Sequence, residues 1–436
     1  MAIPTDREIR RLDASVAKYS DFADTMTSNH PVILYNFEGL LPSFKRWQKQ
    51  GKADVDFLRG AFGNMVVPVV ECSSEGYGEQ RQMSMTLLEY LDAVHGGRQD
   101  GDGDSTQSDG SQEASGGAGL YLKDWHFQRL RRDGGRDSGD GENVETPFFF
   151  ADDWLNWWCD KQGQEDYRFV YIGPRGSWTP LHHDVLNRRG SNDYSWSFNV
   201  CGAKHWTLFP KEVTPFLYDR HGRNLATDVR KDFLDPENFP ELEGAPRLEV
   251  VQAPGEAIFV PSGWHHQVVN LGDGGLHGGL TISVNNNWFN GFNLDSVRSF
   301  LSSELEAVRA ALEHLRQDML GEGEWERQCE LAMRTNSGLN VTDFASIVVA
   351  RAIFLLSDEK RSRGTGATVE RTGWASITGE SESDFRESRG DSGGGDRGVW
   401  HEERWKVFAL EKIAAALRDL STAPFVNHVF LDDAGL

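Results

Sequence analysis

Apolar and polar positions follow two different periods along this chain, and the change falls near residue 293. Between Tyr167 and Trp288 the apolar residues gather in short runs bounded by Gly, Pro and Asp: Phe169–Ile172, Trp196–Val200, His205–Phe209, Leu248–Val251, Ala257–Val260, Gln267–Asn270 and Leu280–Asn285. Runs of this length, rich in Val, Phe, Trp and Thr, predict strands. Strands in such close succession, without alternating βαβ units, argue for a double-sheet jelly roll. After Asn293 the spacing becomes helical. Val297, Phe300, Leu301, Leu305, Val308, Leu312 and Leu315 form one stripe, which predicts a helix over 294–319. Further helices are predicted over 325–333, 341–356 and 403–420. Their stripe is read as a packing face against the β core or as a dimer face.

The first third of the chain is mixed. Pro31–Tyr35 and Val66–Val70 read as short buried strands, and Met85–Val94 as a helix with Ser84 or Thr86 as its cap. Trp154–Trp158 reads as a short helix. Three stretches, 96–118, 132–142 and 361–398, are rich in Gly, Ser and charge and poor in apolar residues, so they cannot offset the entropy of ordering. They are expected to be disordered insertions in surface loops, which cost little when their ends stay close. The expected organisation is N-terminal α/β elements over 1–145, a β core over 146–293 and a helical region over 294–436. No repeat of 20–50 residues is visible.

Composition adds exclusions. The chain has 436 residues, is 38% hydrophobic and carries a formal charge of −22. Such acidity repels a phosphate backbone and excludes direct nucleic-acid binding, while it suits a basic protein substrate. Cys72, Cys159, Cys201 and Cys329 form no CxxC pair, so neither a zinc knuckle nor a disulfide framework is indicated, and free thiols are expected. The N-terminal segment lacks the apolar core of a signal peptide, and no run approaches the roughly 18 apolar residues of a membrane span. Cytoplasmic residence is the expectation, with the nucleus as the alternative.

The chemistry concentrates in Tyr171–Asp184, which contains His182-x-Asp184. On a strand, residues two apart share a face, so the imidazole and the carboxylate can grip one ion while His183 faces away. Two histidines and one carboxylate on one side of a metal leave open positions, the arrangement of non-haem iron(II) oxygenases. A third ligand should come from a distant strand. Gly255–Val269 offers a tight Pro-Ser-Gly turn followed by His265 and His266, and parity alone does not choose between them. Lys204, just past a turn at Gly202, could pair with a carboxylate in a partly dry pocket. Thr179 could add a hydroxyl donor.

Together these segments resemble the JmjC family of iron(II)- and 2-oxoglutarate-dependent oxygenases. The resemblance rests on His182-x-Asp184, Lys204 on the strand ending Leu208-Phe-Pro210, the segment Phe259–Val268, and the Asn-rich strand ending at Trp288. Tyr121–His126, Asp153–Asn156, Asp166–Tyr171, Gly176–Pro180, Ser195–Gly202 and Asn287–Asn293 extend it, so it covers roughly 6–344. It implies a double-stranded β-helix (cupin) core with Fe(II) held by His182, Asp184 and His266. It also implies that 2-oxoglutarate is held by Lys204 and Thr179, with O2 as second cosubstrate. Tyr171, Ser195, Ser197, Asn285 and Trp206 match pocket-lining positions. The 187–194 segment looks longer than the family's usual link. Within the family, the likeness is to lysyl hydroxylases acting on the eukaryotic translation termination factor. The alternatives are an N-methyl-lysine demethylase and a cupin-like binder that has lost catalysis.

Overall fold

The structure is a computed structural model that describes residues 8–72, 80–95, 119–133, 146–163, 166–184, 193–275, 279–318, 321–364 and 397–420. The elements run β1 (Arg10–Asp13), α1 (Tyr19–Ser28), β2 (Val32–Tyr35), the hairpin β3 (Gln48–Lys49) and β4 (Lys52–Ala53), α2 (Val55–Phe62), β5 (Val66–Glu71), β6 (Gln82–Thr86), α3 (Leu87–His95), β7 (Leu120–Trp125), α4 (Phe127–Asp133) and α5 (Trp154–Gln162). Then follow β8 (Arg168–Pro174), β9 (Trp178–His183), β10 (Tyr194–Cys201), β11 (Ala203–Phe209), α6 (Val229–Asp232), β12 (Leu248–Gln252), β13 (Ala257–Val260), β14 (His265–Gly272) and β15 (Leu280–Trp288). Four helices end the described chain: α7 (Leu294–Leu312), α8 (Glu322–Ser337), α9 (Val341–Gly364) and α10 (Arg397–Leu420).

Two sheets face one another. The major sheet has the order β1-β2-β13-β10-β15-β8-β7-β5-β6 and the minor sheet β12-β11-β14-β9. Eight strands, β8 to β15, build the jelly roll, and the N-terminal strands widen its major sheet at both edges. The period-two pattern explains why this sheet is buried on both faces. In β10, Tyr194, Trp196, Phe198 and Val200 join a core with Phe150 and Phe259, where the Phe150 and Trp196 rings stack at 4.7 Å. The alternate residues Ser195, Ser197 and Asn199 are buried too, on the inner face. β15 repeats this: Leu280, Ile282, Val284 and Trp288 join the core, while Thr281, Ser283 and Asn285 turn inward. A buried polar stripe needs partners, and here it lines a cavity between the sheets.

One expectation is corrected. The helix predicted from Met85 starts at Leu87, because Met83 to Thr86 alternate as strand β6 and pair with β5. Ser84 therefore lies in a strand, and Thr86 is the cap, its hydroxyl accepting from the Glu89 amide at 3.2 Å while Glu89 returns a bond to the Thr86 amide. The polar stretches 96–118, 132–142 and 361–398 lie outside the described residues, except that α4 reaches Asp133, α9 runs to Gly364 and α10 begins at Arg397. Among the described residues, no single helix is long and apolar enough to cross a membrane.

The C-terminal helices pack on α5 around Trp154, Trp325, Phe344 and Ile347. One buried ion pair pins them to the core: Arg351 on α9 meets Asp152 at 2.8 Å, and Asp152 also accepts from the Trp154 indole at 2.8 Å. Removing one partner of such a pair strands a buried charge. Arg351→Met is therefore expected to destabilise the protein by about 3–5 kcal/mol in urea unfolding. A loss below about 1 kcal/mol would show that the pair does not hold the helices down.

Candidate active site

β9 and β14 pair antiparallel, with His182 opposite His266 and His183 opposite His265. The register therefore selects the histidine that parity left open. His266 points inward beside His182, their rings 4.3 Å apart, whereas His265 and His183 pair on the outer face. Asp184 closes the cluster: its carboxylate lies 3.8 Å from His182 Nε2 and 3.5 Å from His266 Nε2. Donor atoms of all three residues lie within 4.8 Å of one another. Each imidazole is oriented by a backbone carbonyl, His182 Nδ1 on Pro180 at 2.7 Å and His266 Nδ1 on Trp264 at 3.3 Å. A carbonyl only accepts, so each Nδ1 carries the proton and each Nε2 keeps its lone pair for a metal. The Ser195 hydroxyl donates to Asp184.

The charges suit a divalent ion. Burial pushes His182 down to about 3, with His266 adding to the effect, so its imidazole is neutral at physiological pH. Burial raises Asp184, but His266, His182 and the Ser195 hydroxyl outweigh it and hold the carboxyl below its ordinary value. The His182 and His266 imidazoles, each with its Nε2 turned inward, and one carboxylate fit iron(II), and all three face the cavity.

A second feature lies on the cavity floor. Gly202, at φ +71°, turns the chain from β10 into β11; a Cβ there would sit 2.5 Å from the Leu280 carbonyl oxygen. Two residues on, Lys204 is 2% exposed. Its ammonium donates to Ser283 at 2.6 Å and Ser197 at 3.4 Å, and Asn285 donates to Ser283 at 3.0 Å. Among the described residues no carboxylate lies within ion-pair distance of it. A buried ammonium held only by hydroxyls fits an anionic ligand that brings the missing charge. Trp206 and Tyr171 wall the floor, their rings 5.8 and 5.7 Å from the ammonium, and Trp206 also faces His266 at 5.4 Å.

Thr179 reaches this pocket through an irregularity. His266 pairs with His182, but Val268 pairs with Thr179, so β9 carries one extra residue at Pro180–Leu181. The bulge lets residues three apart share a face. Tyr121 on β7, which spacing did not single out, places its hydroxyl near Thr179 and Asn270. Of the 187–194 segment, whose length departs from the resemblance, residues 187–192 lie outside the described residues.

Burial, followed by the charge of Lys123, pushes Lys204 down to about 7. Binding a dicarboxylate needs the ammonium, so above that pH binding must take up a proton. Calorimetric titrations with 2-oxoglutarate at about pH 8, in buffers of different ionisation heat, are expected to show uptake of nearly one proton, falling toward zero near pH 6. A proton count that does not change with pH would contradict this.

A jelly roll with a His-Asp-His cluster at one end of its cavity and a buried lysine at the other defines a class, and sequence comparisons agree with it. Residues 19–294 match the family model of the cupin-like domain. The chain belongs to this family, in its JmjC branch of iron- and 2-oxoglutarate-dependent oxygenases. It is 39% identical over 307 residues to the 2-oxoglutarate and iron-dependent oxygenase JMJD4 of Danio rerio, covering 70% of this chain and 65% of that protein. It is 38% identical over 338 residues to the protein of that name from Homo sapiens, covering 76% and 72%. It is also 32% identical over 361 residues to the arginine-specific demethylase JMJ20 of Arabidopsis thaliana, covering 79% and 70%. The match therefore spans just under two thirds of the Danio rerio protein.

Proposed function

We propose that this chain is an iron(II)- and 2-oxoglutarate-dependent protein hydroxylase whose target is a lysine side chain of the eukaryotic translation termination factor. The observation that carries the oxygenase reading is the pairing, in one cavity, of the His182–Asp184–His266 cluster with the buried Lys204 ammonium. Iron with open positions supplies the activation of dioxygen: 2-oxoglutarate is oxidised to succinate and CO2, one oxygen atom enters succinate, and the other enters a substrate C–H bond as hydroxyl. The chain's own residues bind and orient. His182, Asp184 and His266 hold the metal, and Ser195 fixes the Asp184 carboxylate. Lys204, supported by Ser283, Ser197 and Asn285, pairs with the distal carboxylate of 2-oxoglutarate. Thr179 and Tyr121 add hydroxyl donors, and Tyr171 and Trp206 keep water from the pocket.

The substrate half of the proposal rests on the resemblance to the termination-factor hydroxylases. A formal charge of −22 favours encounter with a basic segment, and a cytoplasmic site of action follows from that target. The second reading is N-demethylation, favoured by the name of the Arabidopsis relative. Mass spectrometry of recombinant termination factor incubated with the enzyme, iron(II) and 2-oxoglutarate separates them. The expected product is a single-oxygen mass gain on one lysine. Loss of methyl groups from a methylated peptide, with no such gain, would move the assignment to demethylase.

A further inference from the structure

β7 pairs with β8 through an irregular register: Leu122 faces Ile172, but Trp125 faces Val170, so β7 carries one extra residue. Asp124, inside this bulge, takes a left-handed backbone at φ +59°, which residues with a side chain rarely adopt. The consequence is a change of parity. Strict alternation from Leu122 would send residue 124 to the core and turn Trp125 inward; instead Leu122 and Trp125 both join the core. The next residue, His126, therefore turns to the inner face, opposite Phe169. Its ring meets the Phe169 ring edge-on, with centroids 5.0 Å apart.

The ladder of pairs places these two rings between the ends of the cavity. On β8, Val170 and Ile172 are core residues, so Phe169 and Tyr171 face inward. Tyr171 pairs with Ser283, which holds Lys204 at 2.6 Å. Phe169 pairs with Asn285, and Asn285 with Ser197. The following row joins Asn287 to Ser195, whose hydroxyl binds Asp184. Phe169 thus lies one row from that of the metal cluster, about 7 Å along the strand. Phe169 and His126 are both half-buried, so solvent reaches them.

His126 is also oriented. Its Nδ1 lies 3.3 Å from the carboxylate of Asp166, whose side chain is fully buried and whose other oxygen accepts from Arg168 at 3.3 Å. A carboxylate accepts, so Nδ1 carries the proton and Nε2 of the neutral ring keeps its lone pair. Among the described residues, nothing hydrogen-bonds to that Nε2.

We propose that His126 is a substrate-specificity residue: its Nε2 accepts a hydrogen bond from the ammonium of the target lysine, while the Phe169 ring packs against the methylene stem. The inference rests on the reading of this chain as a lysine hydroxylase. A lysine ammonium only donates, so a site that selects it must present an acceptor. Holding the head on His126, one row away, brings a carbon of the stem rather than the nitrogen to the metal cluster, which suits hydroxylation of a C–H bond.

Mass spectrometry of the termination factor after wild-type turnover locates the modified lysine. A peptide spanning it, and the same peptide with norleucine there, which lacks the amino group, are then titrated by calorimetry into the full chain loaded with Mn(II) and 2-oxoglutarate. The wild type is expected to prefer the lysine peptide roughly ten- to a hundredfold. In His126→Leu the preference disappears, and in His126→Gln, whose amide oxygen accepts, most of it returns. Melting temperature and 2-oxoglutarate affinity like those of the wild type show that the variants are folded. A full lysine preference in folded His126→Leu overturns the inference and leaves the hydroxylase reading standing. Equal binding of the two peptides by the wild type also overturns it. Absence of any hydroxylated lysine after wild-type turnover overturns the hydroxylase reading and the inference with it.

Discussion

Replacing Asp184 with alanine is expected to give a folded protein that neither retains iron nor converts 2-oxoglutarate. The carboxylate is the one anionic donor in the cluster, and it is held ionised by His266, His182 and Ser195 against the cost of its burial. Without it, two imidazoles remain, one donor and one compensating charge short of a three-ligand site. Iron content after anaerobic dialysis and succinate release should both fall to background. Ser195→Ala, which keeps all three donors but frees the carboxylate, is expected to lose roughly ten- to a hundredfold in metal affinity. Stoichiometric iron and undiminished succinate in the Asp184 variant would rule out the cluster as the metal site.

Lys204→Met should move stability and binding in opposite directions. The ammonium is desolvated, and its ordinary value of 10.5 is pushed down to about 7. Between those values the unfolded chain binds a proton that the folded chain does not. Stability is therefore lost as pH falls from 10.5 toward 7, and the whole cost is present below that. Removing the charged group removes the cost, so the ligand-free variant should be more stable than wild type near neutral pH by up to a few kcal/mol. The same change deletes the partner of the distal carboxylate, so 2-oxoglutarate affinity should collapse. Urea unfolding and calorimetry on one preparation read both effects. A variant less stable than wild type in the absence of ligand would show that the ammonium stabilises the pocket floor.

Much of this site was legible along the chain because its signals are local. His182 and Asp184 are two apart on a strand, so their shared face and the outward turn of His183 followed from period two. The glycine turn before Lys204 was visible for the same reason. What was not legible depended on register. By spacing alone, choosing His266 over His265, as the resemblance implied, required knowing which residue of β14 faces His182, a pairing across more than 80 positions. Thr179 lies an odd number of residues before His182, so strict alternation would turn it away, and only the bulge at Pro180–Leu181 brings it in. Tyr121 belongs to a segment that carries the resemblance, yet its place beside Thr179 and Asn270 depends on β7 joining β8 beyond an intervening polar stretch. The widening of the major sheet by β1 and β2 is equally non-local, since β2 pairs with β13 through partners such as Ile33 and Ile258.

The central claim is that one chain binds iron(II) and 2-oxoglutarate together in this cavity and couples them to dioxygen. The most direct measurement is anaerobic titration of the purified protein with iron(II) and then 2-oxoglutarate, followed by admission of air and quantification of succinate. The account predicts one iron and one 2-oxoglutarate per chain, with succinate forming only after air is admitted and only when His182, Asp184 and Lys204 are intact. Binding of neither ligand by the folded wild-type protein, or succinate formation that survives His182→Ala, would contradict it.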